Sequence, residues 1–212
     1  MQKICISGPA ISGKTYAIEH IDNSNILTYP EAASILTYPE AARKVNSIYP
    51  ELIKTGQIEE FRKKVCQFQI DIEMMLSNGN DNMIHIFDRG IIDNLTFLAL
   101  QDDKNLTSEM SKVIDYYKSG ELKPYDIIFY FDISPFAELT PLLIEALEDP
   151  LRKSTINVNN FKEHIVDFRS AFIDVVNFLG LANKVKVTSA YPTPEGYSER
   201  NNLINQTIKN LI

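Results

Sequence analysis

Eight consecutive residues near the start of this 212-residue chain, Gly8-Pro9-Ala10-Ile11-Ser12-Gly13-Lys14-Thr15, carry the pattern G-x-x-x-x-G-K-[ST] in full. The chemistry such a stretch can do is the cradling of a polyphosphate. Glycines at its two ends let the backbone curl and approach oxygen atoms closely, so that successive N–H groups converge on one phosphate. Lys14 is then placed to bridge the β- and γ-phosphates of a nucleoside triphosphate, and the Thr15 hydroxyl to ligate Mg2+. Tyr16 extends the candidate nucleotide-binding set, Gly8 to Thr15, by one residue.

A second charged set, Asp88-Arg89-Gly90-Ile91-Ile92-Asp93, follows the apolar run Met83-Ile84-His85-Ile86-Phe87. In open α/β sheets ligands bind beyond the carboxyl ends of the strands. Asp88 is therefore a candidate for holding the Mg2+ shell or for taking a proton from an attacking hydroxyl, and Arg89 for forking onto phosphoryl oxygens. The bland alternative is a strand-end salt bridge beside a turn glycine. Farther on, Asp149-Pro150-Leu151-Arg152-Lys153-Ser154 concentrates positive charge between breakers. As a lid it would bring Arg152 to a transferring phosphoryl and Lys153 to a neighbouring oxygen; as a solvated turn it would do neither. His85 inside a strand reads first as packed, Asp132 at a strand exit as a helix-start cap or a site residue, and His164 and Arg169 as helix surface.

An octapeptide recurs at a nine-residue offset: Ile26-Leu27-Thr28-Tyr29-Pro30-Glu31-Ala32-Ala33, then Ile35-Leu36-Thr37-Tyr38-Pro39-Glu40-Ala41-Ala42. Two copies are too few and too short for a stacked array. Each reads as a short strand broken by Pro and passing into a helix opening, so two copies compete for one slot. The shorter connection from Lys14 favours the first copy and Glu31. Arg43, which follows only the second, favours that copy and Glu40, and this is the preferred reading.

Elements must position these residues. Lys3-Ile4-Cys5-Ile6-Ser7 predicts a buried first strand, and Thr15, Tyr16, Ala17, Ile18 and Ile21 a helix after the glycine loop. Between Ile58 and Ser77, Phe61, Val65, Phe68, Ile72 and Met75 recur at helical spacing and predict an amphipathic helix with that stripe inward. Strands are expected at Met83 to Phe87, Ile127 to Phe131 and Lys184 to Val187. Helices are expected at Ile91 to Leu100, Leu106 to Ser119, about Pro135 to Glu148, and Phe161 to Leu179. Tyr191 to Tyr197 reads as a Pro-rich connection. Ser198 to Ile212 reads as a closing helix with Leu203, Ile204, Ile208 and Ile212 inward.

Bulk properties fit one α/β domain over residues 1–212 with a small lid at about 148–160. Hydrophobic residues make up 44% and charged residues 23%, which argues against extensive disorder. With 21 Lys and Arg against 28 Asp and Glu, the formal charge of −7 disfavours a large nucleic-acid surface. The two cysteines, Cys5 and Cys66, read as packed thiols, and no apolar run approaches a membrane span or a leader, which predicts a cytoplasmic protein. A homodimer is left open.

In their order and spacing these stretches resemble the P-loop ATPases of AAA type grouped with the ribosylnicotinamide kinase domain of bacterial NAD regulators, relatives of thymidylate and deoxynucleoside kinases. The likeness covers nearly the whole chain. It rests on Gly8 to Thr15, Pro39-Glu40-Ala41-Ala42-Arg43, Phe87-Asp88-Arg89-Gly90 with Asp93, Tyr125-Asp126-Ile127-Ile128-Phe129, and Asp149-Pro150-Leu151-Arg152. The resemblance implies a three-layer fold: a parallel five-stranded sheet in the order 2-3-1-4-5, helices on both faces and a small lid. It implies ATP at the glycine loop and an acceptor under the ends of the second and third strands. Glu40 would be the base or hydroxyl partner, Asp88 a Mg2+-linked carboxylate or alternative base, and Arg89 and Arg152 phosphoryl stabilisers; the duplication offers Glu31 as a rival to Glu40. The leading expectation is ATP-dependent, Mg2+-assisted phosphoryl transfer to a nucleoside, nucleotide or related metabolite. The alternatives are a kinase acting on a hydroxyl within a nucleic acid, a regulatory nucleotide-hydrolysing switch, and a nucleotide-binding module without catalysis.

Overall fold

A computed structural model describes residues 2–9, 11–21, 35–38, 41–78, 83–101, 105–134, 144, 147, 159–189 and 194–211. Strand β1 (Gln2–Ser7) is central, hydrogen-bonded on one side to β3 (Ile84–Asp88) and on the other to β4 (Ile127–Asp132). Outside β3 lies β2 (Ile35–Tyr38) and outside β4 lies β5 (Val185–Ser189), giving five strands in the order β2-β3-β1-β4-β5. Every pairing is parallel, so the central strands are covered on both faces and read as continuous apolar runs.

Alternation along the strands divides the core in two. Ile4, Ile6, Phe129 and Phe131 pack with α1 (Lys14–Glu19), the first turns of α7 (Phe161–Phe178), and α8 (Pro194–Lys209). Cys5, Phe87, Ile128 and Tyr130 pack with α4 (Ile58–Ser77), α5 (Ile91–Ala99), α6 (Leu106–Ser119) and the rest of α7. A smaller cluster of Ala41, Val45 and Val65 holds α2 (Ala41–Ile48) on α4, with α3 (Pro50–Lys54) between them in sequence. Both cysteines are free and buried. No described helix is long and apolar enough to cross a membrane.

The strand beside β3 is formed by the second copy of the repeat. The first copy with Glu31, the Pro39-Glu40 pair, all but residues 144 and 147 of the helix expected from Pro135, and nearly all of the lid segment with Arg152 and Lys153 lie outside the described residues.

Three expectations need correction. Helix α8 begins at Pro194, so the last part of the presumed Pro-rich connection is its first turn, with proline where its missing N–H costs nothing. Within it Ile204 and Ile208 are buried but Leu203 is 43% exposed. The last strand starts at Val185, because Lys184 closes a short 3-10 turn. The third concerns α4, whose limits match the expectation and whose stripe packs inward at Phe61, Val65, Phe68 and Ile72 but not at Met75. Its buried face is Val65, Cys66, Gln69, Ile70 and Glu73, and Met75 is 66% exposed.

The buried face of α4 also has a polar part. Lys3 and Glu73 are fully buried and paired at 2.6 Å, and Lys3 Nζ also donates to the Lys123 carbonyl at 2.7 Å. Glu73 Oε1 accepts from the Tyr125 hydroxyl (2.6 Å), Gln69 Nε2 (2.6 Å) and the Ile91 N–H (3.0 Å). A hydrophobicity stripe cannot register a carboxylate on a buried face. Glycine at position 90 is required by the same cluster, since a Cβ there would overlap the Tyr125 hydroxyl.

Removing one member of such a pair leaves the other charge buried and uncompensated. Glu73→Ala is expected to destabilise the fold by about 3–5 kcal/mol in urea unfolding. The double replacement Lys3→Met with Glu73→Leu should cost less than that single change; a larger cost would contradict this account.

Candidate functional site

β1 delivers the chain to Gly8, whose φ of +144° and close neighbours both demand glycine: a Cβ there would lie 2.8 Å from the Phe131 carbonyl oxygen. The turn continues through Ile11 at φ +62° and Gly13 at φ +76°, and α1 begins at Lys14. Lys14 is buried, and its Nζ donates to the carbonyls of Gly8 (3.0 Å) and Pro9 (2.7 Å) and to Ser12 Oγ (3.1 Å). The ammonium thus sits inside the curve of its own loop, bonded to that loop's oxygens.

The pairing of Ile6 with Asp88 sets the end of β3 level with the start of the loop. Thr15 Oγ1 donates to Asp88 Oδ2 at 3.2 Å, which brings the two residues expected at a metal together. These are hard oxygen donors of the kind Mg2+ takes. Among the described residues no group of three or more His, Cys, Asp or Glu side chains is arranged for a metal, so the pair fits an ion whose remaining ligands are phosphate and water.

Arg89 has φ +65°, uncommon outside glycine, and its N–H donates to the Ile6 carbonyl. Its Nη1 donates to the Gly8 carbonyl (3.2 Å) and to Asp93 Oδ1 (3.3 Å), and its guanidinium lies over the Phe97 ring at 5.0 Å. The strand-end salt bridge is therefore real, and it holds the guanidinium against the glycine loop. Asp93 also accepts from Ser7 Oγ (2.9 Å) and from the Gly90 N–H (3.2 Å), capping α5. Burial pushes its carboxyl above the ordinary value, with Arg89 and Lys14 pulling the other way. Desolvation likewise keeps the neighbouring Cys5 thiol protonated, its pKa raised well above the usual range.

Arg200, on α8, had no signal in the sequence. Its guanidinium is buried, donates to the carbonyls of Ser12 (2.8 Å) and Gly13 (3.2 Å), and stacks on Phe131 at 4.1 Å. Desolvation lowers its pKa to about 10. It grips the outside of the loop from 188 residues away in sequence. Tyr16 is 41% exposed beside it, stacked on His20 and 5.0 Å from the Tyr197 ring.

The structure thus assembles Gly8, Pro9, Ile11, Ser12, Gly13, Lys14, Thr15, Asp88 and Arg89 at one end of the sheet. Ala10, Glu31, Glu40, Arg152 and Lys153 are outside the described residues. Asp132 pairs with Arg169 of α7, which donates through Nε at 2.9 Å and through Nη2, and the start of the helix it was expected to cap lies outside the described residues. Arg169 is thereby fixed to β4, and His164 is half-buried, so neither is the plain surface residue expected. Asp93 stood in the sequence at the end of the charged set Asp88 to Asp93, four residues after Arg89, which lies in the turn before α5.

A family profile of AAA domains matches residues 3–164. Among solved structures, the deoxyadenosine kinase of M. mycoides, described with the products dCMP and dCDP bound, aligns over all of both chains at 17% identity and a TM-score of 0.56. The thymidylate kinase of Candida albicans aligns over 99% of this chain and 91% of its own at 12% identity and a TM-score of 0.61. NadR, solved in complex with NR, aligns over 97% of this chain and 50% of its own at 16% identity and a TM-score of 0.58. At these identities the likeness is one of fold, an α/β P-loop kinase fold with a parallel sheet. No curated protein matches the chain.

The raised pKa of Asp93 has a measurable sign. Above 3.8 the folded chain keeps a proton that the unfolded chain has released, so stability linked to this proton is full below 3.8 and is lost as pH rises through the raised value. Asp93→Asn removes that titration. The stability of the unaltered protein relative to the variant, from urea melts, should therefore fall as pH climbs above 3.8; a flat or rising difference would refute the assignment.

Proposed function

Because the chain belongs to the AAA-domain family, we propose that it is an ATP-dependent phosphotransferase, moving a γ-phosphoryl group to a hydroxyl of a small acceptor of the nucleoside or nucleotide kind. The observation that carries this reading is the meeting of Thr15 and Asp88 at 3.2 Å beside a loop that encloses the Lys14 ammonium. Arg89, held by Asp93 against the Gly8 carbonyl, adds a second cation at the same strand ends. The names of the structural neighbours, a deoxyadenosine kinase and a thymidylate kinase, support the acceptor class.

In this reading the backbone N–H groups of residues 8 to 15 grip the triphosphate, and Lys14 leaves its loop oxygens for the β- and γ-phosphoryl oxygens. Thr15 and Asp88 would hold Mg2+, which when bound neutralises charge between those phosphates. Arg89 steadies the charge on the moving group, while Glu40 partners the acceptor hydroxyl and Arg152 closes from the lid at about 148–160. Little covalent chemistry falls to the protein, so positioning and fixed charge supply most of the rate.

The test is transfer of radiolabelled γ-phosphate from ATP to a panel of nucleosides, nucleotides, ribosylnicotinamide and oligonucleotides. Label is expected on a small nucleoside-type acceptor, and Lys14→Ala should lower the rate on the order of a hundredfold or more. Label released only as free phosphate across the panel would replace this reading with a nucleotide-hydrolysing switch.

A further inference from the structure

Two polar side-chain atoms at the upper ends of α5 and α7, Asn94 Nδ2 and His164 Nε2, are buried with no hydrogen-bond partner. The topology sets them face to face. Helix α5 leaves the carboxyl end of β3 and runs back along the sheet, and α7 runs the same way before the chain turns into β5. One turn below, Phe97 of α5 and Phe168 of α7 meet edge to face with centroids 5.4 Å apart. Asn94 precedes Phe97 by three residues and His164 precedes Phe168 by four, which puts both above that contact. Arg89 lies over Phe97, and its charge reaches His164.

Buried polar atoms are ordinarily satisfied, and two unmet ones on facing helices beside the candidate phosphoryl-binding arginine need an explanation. Asn94 Nδ2 can only donate, and an imidazole nitrogen donates or accepts according to its tautomer. Burial and Arg89 hold His164 below its usual pKa, against the pull of Asp167, so at neutral pH it carries no charge to offer an anion. A hydroxyl, which both donates and accepts, satisfies such a pair in either imidazole tautomer, whereas a phosphate dianion, which only accepts, does so only when Nε2 carries the proton. We propose that Asn94 and His164 bind the hydroxylated sugar of the acceptor, His164 acting as a specificity-determining residue within reach of the Arg89 charge. This assignment rests on the phosphotransferase reading for the word acceptor, but its first test does not depend on turnover.

The chain has 3 histidines, so the imidazole signals of His164 in 1H–15N spectra can be assigned by difference with His164→Gln. Adenosine, cytidine, thymidine, thymidylate and ribosylnicotinamide are added singly without ATP. At least one should move the His164 signals and leave those of His20 in place. For a phosphorylated acceptor, His164→Phe should raise its KM about tenfold, with kcat and the KM for ATP changed by no more than about twofold. His164→Gln should fall between, and Asn94→Ala should act in the same direction. Transfer without a His164 shift or a KM effect overturns the assignment and leaves the phosphotransferase standing. A shift without transfer supports the sugar site and overturns the phosphotransferase. Neither shift nor transfer overturns both.

Discussion

The carboxylate of Glu73 is the point on which the site's geometry depends. It is fully buried, and its partners come from β1, from its own helix, from the segment before β4 and from the first residue of α5. A buried ion pair is poor evidence for stability in itself, because desolvation offsets the Coulomb gain. What this one fixes is orientation: by accepting the Ile91 N–H it sets where α5 begins, and therefore where Asp88, Arg89 and Asp93 stand relative to the glycine loop. The close fit of Gly90 under the Tyr125 hydroxyl leaves that junction little room to shift.

A second layer of constraint lies nearer the phosphates. Asp93 draws Arg89, Ser7 and the Gly90 N–H to one buried carboxylate, so the end of β1 and the turn after β3 are tied through a single side chain. Arg200 does the corresponding work on the opposite side of the loop, bonding two of its carbonyls while resting on Phe131 of β4. The loop thus owes its left-handed residues at Ile11 and Gly13 to support from both flanks, as strained backbone must.

What could be read from the sequence follows from which interactions are local. The limits of α4 and α6 follow from apolar spacing and from a terminal glycine, both visible within one window. The loop residues and Asp88 were legible because strand, glycine turn and helix are consecutive in the chain. The polar part of α4's buried face was not, since Gln69 and Glu73 are held there through the pair with Lys3 of β1, a contact of 70 residues' separation that no periodicity encodes. Asp132 and Arg169 each looked locally explicable, as cap or site residue and as surface, and their meeting across α7 and β4 has no local signal in the sequence. Arg200 is the extreme case, a polar residue in a late helix whose partners are backbone carbonyls and so carry no side-chain signature at all.

Arg200 also bears on the order in which the protein can be finished. Ribosomal synthesis makes Gly8 to Thr15 about 190 residues before the guanidinium that braces this loop and the Ile204 and Ile208 side chains that cover its face of the sheet. The Gln2 side chain closes the same circuit by donating to the Leu211 carbonyl at 2.7 Å. A nascent chain therefore carries the glycine loop with its outer brace missing until α8 has been made, and the loop's support is completed only when α8 reaches β1.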